Sequence, residues 1–313
     1  MIRRGVLLVL GATCAALAGA ADRTPLPMSA RWTVPNQLKA GLTSEPGDCL
    51  TAPTDPAQTR SIAIGAAAFR APLLLGGQAA RSGLSCNSCH RAGHDNPAFS
   101  YPGLSGAPGT ADVTASLFSS HRGDGQFNPK PIPNLAGDKT LLKIDQSQDR
   151  GELELFILGL ITQEFDGPTP SPAVLTGLAS YVRALSPQAC RPPARIDLAS
   201  TLVRIDAALD SARHSAQSGD GATAALLISS ARSQLQLIDE RYPGSLSRRA
   251  APLRQAAARL GAIERQMIGD PAGGLAALGQ WRRAEPKWKR PLQASEAKSL
   301  YNPAVLSGWL SPR

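Results

Sequence analysis

The feature that most constrains this chain is the pentapeptide Cys86-Asn87-Ser88-Cys89-His90. On one helical turn the two thiols lie on the same side, and the imidazole that follows points to the same region. This spacing is the attachment sequence of c-type haem, in which each thiol forms a thioether and the histidine ligates the iron. A redox dithiol or half of a zinc site would need only the two cysteines, and no second such pair is present. The sequence therefore predicts one covalent haem c held by Cys86, Cys89 and His90.

The N-terminal residues have the three parts of a secretory signal peptide, which we place at 1–21. Arg3 and Arg4 form the positive end, residues 6–17 are apolar, and Ala18-Gly19-Ala20 is a small-residue cleavage site. An uncleaved anchor is the alternative, but the apolar run is short for a membrane span. We therefore expect an exported, periplasmic protein.

The remaining cysteines predict a disulfide. The chain has five cysteines; Cys14 lies in the predicted signal peptide, and two belong to the pentapeptide. Cys49 and Cys190 are left as an even pair in an oxidising compartment, one on each side of the haem region. We expect them to be linked; two independent free thiols are the alternative.

Periodicity and composition favour an all-α fold. Aromatic residues make up only 4% of the chain, while Ala, Leu, Gly and Pro are abundant, which disfavours a β-sandwich. Helical spacing of apolar residues predicts helices over 61–70, 152–165 and 172–185. Residues 22–58 lack such periodicity and predict an extended lead-in, and Pro192-Pro193 marks a linker.

The stretch from Gly65 and Phe69 through Pro72 to the pentapeptide resembles the opening of one haem domain in the bacterial dihaem cytochrome c peroxidase superfamily. The resemblance covers residues 64–90, and beyond them the chain is similar only to the general plan of a class I cytochrome c. It implies a cytochrome c-like haem domain over 59–190. The closing helix 172–185 resembles the C-terminal helix of these proteins, which implies that Tyr181 meets Gly65 and Phe69.

The class I plan also implies a proline whose carbonyl accepts the ring N–H of the ligating histidine, fixing its tautomer. Pro102 lies twelve residues after His90, and this spacing favours it. The turn at Pro133 is a second candidate. Either could instead be an ordinary Pro/Gly turn.

The second axial position of the iron is the open question. The chain has three methionines, Met1, Met28 and Met267, and none lies between His90 and Cys190. His94 is too close to His90 in sequence to reach the opposite haem face. We therefore predict His121 as the distal ligand or as a distal-pocket residue, with a plain surface role as the alternative; Met267 is a remote third candidate.

The C-terminal third predicts an antiparallel helical bundle over 191–285, followed by a basic tail over 286–313. Apolar residues repeat at helical spacing over 198–209, 227–238 and 253–267. From 191 to 313 there are 18 basic and 10 acidic residues, against 13 and 14 over 22–190. This charge favours an acidic redox partner protein or an anionic membrane surface over nucleic acid, and a solvated surface without a partner is the alternative.

These patterns together predict an exported single-haem c-type cytochrome that transfers electrons, without Met as distal ligand. A peroxidase-like haem enzyme with an open distal site is the first alternative, although enzymes of the resembling superfamily pair two haems and this chain has one attachment sequence. A haem-based sensor is the second alternative.

Overall fold

A computed structural model describes residues 27–114, 117–146 and 150–311 of the protein. The predicted signal peptide lies outside these residues. The described chain is mostly helical, with four strands of two residues each, which confirms the all-α class. Among its helices, none has the length and apolar character needed to cross a membrane.

The helices α1 to α13 are Leu38–Thr43, Pro56–Ala68, Pro72–Leu75, Gly77–Arg81, Cys86–Cys89, Glu152–Gly159, Pro172–Ala184, Leu198–Gln217, Gly221–Asp239, Ser247–Gly269, Pro271–Arg283, Pro286–Gln293 and Pro303–Leu310. A π-helical turn, Leu160–Glu164, continues α6. Strands β1 to β4 are Ser44–Glu45, Thr110–Ala111, Lys130–Pro131 and Ala194–Arg195; β1 pairs with β4 and β2 with β3, both antiparallel.

Helices α2 and α7 cross at two glycines. Each helix begins at a side-chain cap followed by proline: Asp55 caps α2, and Ser171 caps α7. A Cβ at Gly65 would lie 1.9 Å from the carbonyl oxygen of Gly177, so the two backbones approach more closely than any larger residue allows. Beside this crossing, the rings of Phe69 and Tyr181 lie 5.0 Å apart. The predicted meeting of Tyr181 with Gly65 and Phe69 is confirmed.

We expect Gly65→Ala to lower the free energy of unfolding by about 2–3 kcal/mol, because the new methyl group meets a backbone carbonyl that no rotamer can move away. Gly279→Ala is the matched control. Gly279 also lies inside a helix, α11, where a Cβ would meet only the Arg283 side chain at 3.7 Å. Gly279→Ala should raise the free energy of unfolding by about 0.5–1 kcal/mol, because alanine is the better helix former. Urea unfolding of both variants measures the difference in stability. Equal unfolding midpoints for Gly65→Ala and Gly279→Ala would contradict the close approach of α2 and α7 at Gly65.

The described part of the lead-in runs along the first helical unit, α2 to α7, and is fixed at the C-terminal end of α7. Cys49 and Cys190 form the predicted disulfide. Backbone hydrogen bonds run along the same seam, from Thr51 N to the carbonyl oxygen of Ala184 and from Ser186 N to that of Cys49. Residues 27–55, called the strap below, are therefore ordered, and residues 49–51 pack over the end of α7.

Helices α8, α9 and α10 form the predicted antiparallel bundle, with their apolar faces turned inward. The predicted boundary at residue 190 falls between α7 and α8. The hydrophobic core nevertheless continues across it, from Cys49 and Ile62 into the bundle. In this interface the Ser230 hydroxyl donates a hydrogen bond to the carbonyl oxygen of Ala67. The two units therefore bury their apolar surface together.

A buried carboxylate joins the strap to both units. Glu45 accepts a 2.9 Å hydrogen bond from Arg204 of α8 and lies 3.7 Å from Arg70, just after α2. Burial alone would raise the pKa of Glu45, but the opposite charges of Arg204, Arg70 and Arg91 outweigh burial and lower it. Glu45 is thus ionised at neutral pH and holds the two units together.

The basic tail is helical and packs on the bundle. Trp281 and Trp288 are buried, and the indole N–H of Trp281 donates to the carbonyl oxygen of Ala256 in α10. Arg282 and Lys289 pair with acidic residues of the bundle, among them Asp206. This arrangement withdraws both tryptophans from any contact with a membrane surface.

Candidate functional site

The pentapeptide folds as a single helical turn. Ser85 and Ser88 form a reciprocal capping box, in which the Ser88 hydroxyl oxygen accepts a 3.0 Å hydrogen bond from Ser85 N. Helix α5 then carries Cys86 and Cys89 three positions apart, on the same side. His90 follows as the C-terminal cap, with its N–H bonded to the carbonyl oxygen of Cys86. The structure thus brings together the three residues that the sequence singled out.

The imidazole of His90 is held in one tautomer. Its Nδ1 lies 3.0 Å from the carbonyl oxygen of Pro133. A carbonyl only accepts, so Nδ1 carries the hydrogen and Nε2 keeps its lone pair. Desolvation lowers the pKa of His90 to about 4, although the bond to Pro133 acts in the opposite direction. At neutral pH the ring is therefore neutral, which is the form that ligates a metal.

The preference for Pro102 as the acceptor was wrong. After His90 the backbone enters positive φ at Ala92 and Gly93, and Ala136 N bonds to the carbonyl oxygen of Gly93. This bond brings the turn at Pro133 back against the histidine. Pro102 instead lies in an exposed turn next to Tyr101, on the part of the chain that packs against the strap. Spacing along the chain could not show which turn returns to His90.

Cys86 and Cys89 are free, half-buried thiols at the edge of an apolar cluster. Desolvation raises the pKa of each thiol to about 12. At neutral pH both are therefore thiols rather than thiolates. The cluster beside them comprises Leu75, Ala79, Leu84, Phe99, Tyr101, Leu104, Ala111, Phe118 and Ile132, with Trp32 and Phe165 at its margin.

The bundle approaches α5 from the side opposite the thiols. Asn87, Ser88 and Arg91 line a cavity of about 630 Å³ that is also lined by residues of α9, such as Arg232 and Gln236. On a helix these positions face away from 86, 89 and 90. The bundle therefore covers the back of the motif, and the sulfur atoms and His90 face the first helical unit.

Neither described methionine is placed to act with His90. The sulfur of Met267 is in the bundle core, where a Cβ on Gly274 would lie 2.6 Å from it. Met28 lies against Gly83 and lines the cavity behind α5. Met1 is outside the described residues. A distal ligand other than Met stays a prediction.

His121 lies on the surface, and the structure does not bring it to His90. Its side chain is 62% exposed, and Nε2 lies 3.8 Å from a carboxylate oxygen of Asp166. Next to it, Arg122 donates a 2.6 Å hydrogen bond to the buried carboxylate of Glu164. The other oxygen, Oε2, has no hydrogen-bond partner among the described residues. His121 as distal residue stays a prediction, and its loop belongs to a polar cluster formed with the π-helical turn.

Sequence reasoning missed the partners in this cluster. Asp166 has a positive φ of 55°, and its carboxylate accepts a hydrogen bond from Ser120 N. Gln163 accepts two hydrogen bonds from the Arg122 guanidinium through its side-chain oxygen. These contacts span more than forty positions of the chain. No local pattern could have indicated them, because the π-helical turn that directs these side chains has no sequence signature of its own.

His94 also has a partner that the sequence did not suggest. Its Nε2 lies 3.1 Å from the sulfur of Cys49, and the nearest sulfur and nitrogen atoms of Cys49, Cys190 and His94 all lie within 4.8 Å of one another. Cys49 and Cys190 form a disulfide, so neither sulfur is a thiolate that could ligate a metal ion in the ordinary way.

Comparison of the chain with protein-family models, with curated proteins and with solved structures gives no match. Its function must therefore be argued from the residues themselves.

Proposed function

We propose that this chain binds one haem c through Cys86, Cys89 and His90 and acts as an exported single-haem electron-transfer protein. The observation that carries the proposal is the pairing of two free thiols, on one side of α5, with a histidine whose Nδ1 is fixed by Pro133. The residues fit the group: the thiols would supply both thioether sulfurs, and Nε2 of His90, which keeps its lone pair, would supply the ligand atom for iron. The apolar cluster beside the thiols supplies a surface for a porphyrin.

When bound, haem iron supplies a reversible one-electron couple. The protein itself orients the His90 ring and makes its Nε2 more basic. The carbonyl oxygen of Pro133 accepts the Nδ1–H of His90, which holds the ring plane and increases electron density at Nε2. Thioethers at Cys86 and Cys89 would fix the position of the group against α5, so that little rearrangement accompanies electron transfer.

The crossing of α2 with α7 at Gly65 and Tyr181 supports a cytochrome c-like fold for residues 59–190. Export to the periplasm is supported by the Cys49–Cys190 disulfide, because such bonds persist mainly in oxidising compartments. The partner we propose is an acidic redox protein, since the basic excess lies in residues 191–313.

A peroxidase-like activity is the second candidate, favoured by one observation. Glu164 is buried, one of its carboxylate oxygens has no hydrogen-bond partner in the part of the chain that the structure describes, and it is held by Arg122, next to His121. An acid and a cation in such a cluster would suit proton transfer to a bound peroxide. This candidate requires that the cluster face the second axial position of the iron.

Absorption and EPR spectra of the purified ferric and ferrous protein distinguish the two functions. A low-spin six-coordinate ferric form that becomes high-spin in His121→Ala supports electron transfer with His121 as the distal ligand. His214→Ala is the matched control, because His214 is exposed on α8 and, within the described ranges, its Nδ1 bonds only to the helix carbonyl of Asp210. A wild-type protein that is high-spin and reacts rapidly with peroxide would overturn electron transfer as the main activity.

A further inference from the structure

The Cys49–Cys190 disulfide is strongly asymmetric in its exposure. Cys49 is fully buried, whereas Cys190 is exposed at the end of α7. A thiolate attacks a disulfide along the line of the sulfur–sulfur bond, and the sulfur that it does not attack leaves. From solvent only Cys190 can be attacked, so Cys49 is the leaving sulfur.

The leaving sulfur has a hydrogen-bond donor beside it. Nε2 of His94 lies 3.1 Å from Cys49 Sγ and also 3.1 Å from the carbonyl oxygen of Gly47. Because the Gly47 carbonyl only accepts, Nε2 carries the ring hydrogen. This one hydrogen faces both the Gly47 carbonyl oxygen and Cys49 Sγ, so it can turn toward a thiolate that forms at Cys49. A donor at a leaving thiolate stabilises it and speeds its departure.

The two cysteines would stay opposite each other without the sulfur–sulfur bond. Ser186 N donates to the carbonyl oxygen of Cys49 at 2.8 Å, and Arg191 N donates to that of Asp48 at 3.1 Å. A further bridge pairs Leu50 with Leu185. Reduction would thus produce a folded chain with two facing thiols, ready to close again.

We propose that Cys49–Cys190 is a reactive disulfide that exchanges with an external protein dithiol, with His94 as the positioning residue for the leaving sulfur. A thiolate of the dithiol bonds to Cys190 Sγ, and the electron pair of the broken bond leaves on Cys49. The second thiolate of the dithiol then attacks its own partner sulfur, which releases Cys190. The dithiol is oxidised to a disulfide, and Cys49 and Cys190 gain two electrons and, from solvent, two protons. The haem proposal plays no part in this exchange.

The first test is the rate of reduction of the oxidised full chain by dithiothreitol. Samples are quenched in acid, unfolded and alkylated, and the peptides containing Cys49 and Cys190 are followed by mass spectrometry, so the state of Cys86 and Cys89 does not enter. We expect His94→Ala to slow the reaction about tenfold, as the leaving thiolate loses its donor. Gln188→Ala is the control, because Gln188 is exposed two residues from Cys190 and bonds only to Ser186 among the described residues. Equal rates in the wild type and His94→Ala would overturn the proposal.

The second test reads which sulfur is attacked. Glutathione, a monothiol, should be trapped on Cys190, with Cys49 recovered as the alkylated free thiol. Glutathione found equally on both cysteines, or reduction only after urea unfolding, would show a purely structural disulfide and overturn the proposal. Since His94→Ala could also loosen the strap, its urea midpoint is measured in parallel. A midpoint equal to the wild type, together with a slower reduction, assigns the effect to the lost donor.

Discussion

Replacing Cys86 and Cys89 together by serine should give a chain without covalently attached haem. Serine keeps the shape of α5 and its capping box, but its hydroxyl does not form the thioether that retains the group under denaturing conditions. Each single variant keeps one thiol on the same face and should retain one link, with less haem per chain. The intact mass of the unfolded protein, read beside its haem absorbance, measures the attachment.

The control for this experiment is the pair Cys49→Ala and Cys190→Ala, which removes the other two described cysteines. That variant should carry as much haem as the wild type, because the two sulfurs it lacks lie between the strap and α7 and not on α5. Haem retained after denaturation in the Cys86/Cys89 double variant would contradict the attachment we propose. So would a wild-type chain, produced with a working haem-attachment system, that carries none.

His90 and Pro133 show where sequence reasoning reached its limit at the site. The pentapeptide is local, so its helical turn and the shared face of Cys86 and Cys89 follow from spacing alone. The acceptor for Nδ1 of His90 is not local. It depends on positive φ at Gly93 and on a backbone bond from Ala136. Both arise only when the chain folds back between His90 and Pro133, which are 43 positions apart.

The same distinction applies to the fold. Helices α2 and α7 could be predicted from apolar periodicity, which fixes the face that is buried. Their contact through Tyr181 was implied by the resemblance of α7 to the closing helix of cytochromes c, and Gly65 permits the close approach. Counting cysteines was sufficient to pair Cys49 with Cys190. The placement of Glu45 between Arg70 and Arg204 was beyond sequence reasoning, since these three side chains come from three separate segments. For the basic segment 281–290, with its interleaved tryptophans, the sequence left two alternatives open, a docking surface and a coil packed along the bundle. Burial of Trp281 and Trp288 agrees with the packed alternative.

Cys49→Ala with Cys190→Ala should lower the free energy of unfolding by about 4–5 kcal/mol relative to the oxidised wild type. The bond joins residues separated by 141 positions. Closing so long a loop removes much of the conformational entropy of the unfolded chain, and the chain-entropy relation gives about 5 kcal/mol for this length. Alanine is preferred to serine, because a serine hydroxyl at the buried position of Cys49 would add the cost of an unpaired polar group.

Urea unfolding followed by circular dichroism, with equal haem content in both samples, measures this loss. A single transition is expected in each case, because one hydrophobic core runs from Cys49 through α2 into the bundle. The backbone bonds between the strap and α7 persist in the variant, so the loss should appear mainly as a lower midpoint with little change in the folded spectrum. A loss below about 1 kcal/mol would mean that the unfolded chain gains little conformational freedom when the bond is absent. Local contacts of the strap would then already restrict the unfolded chain. In that case the bond contributes little to stability, and its reactivity at Cys190 would be its main consequence for the protein.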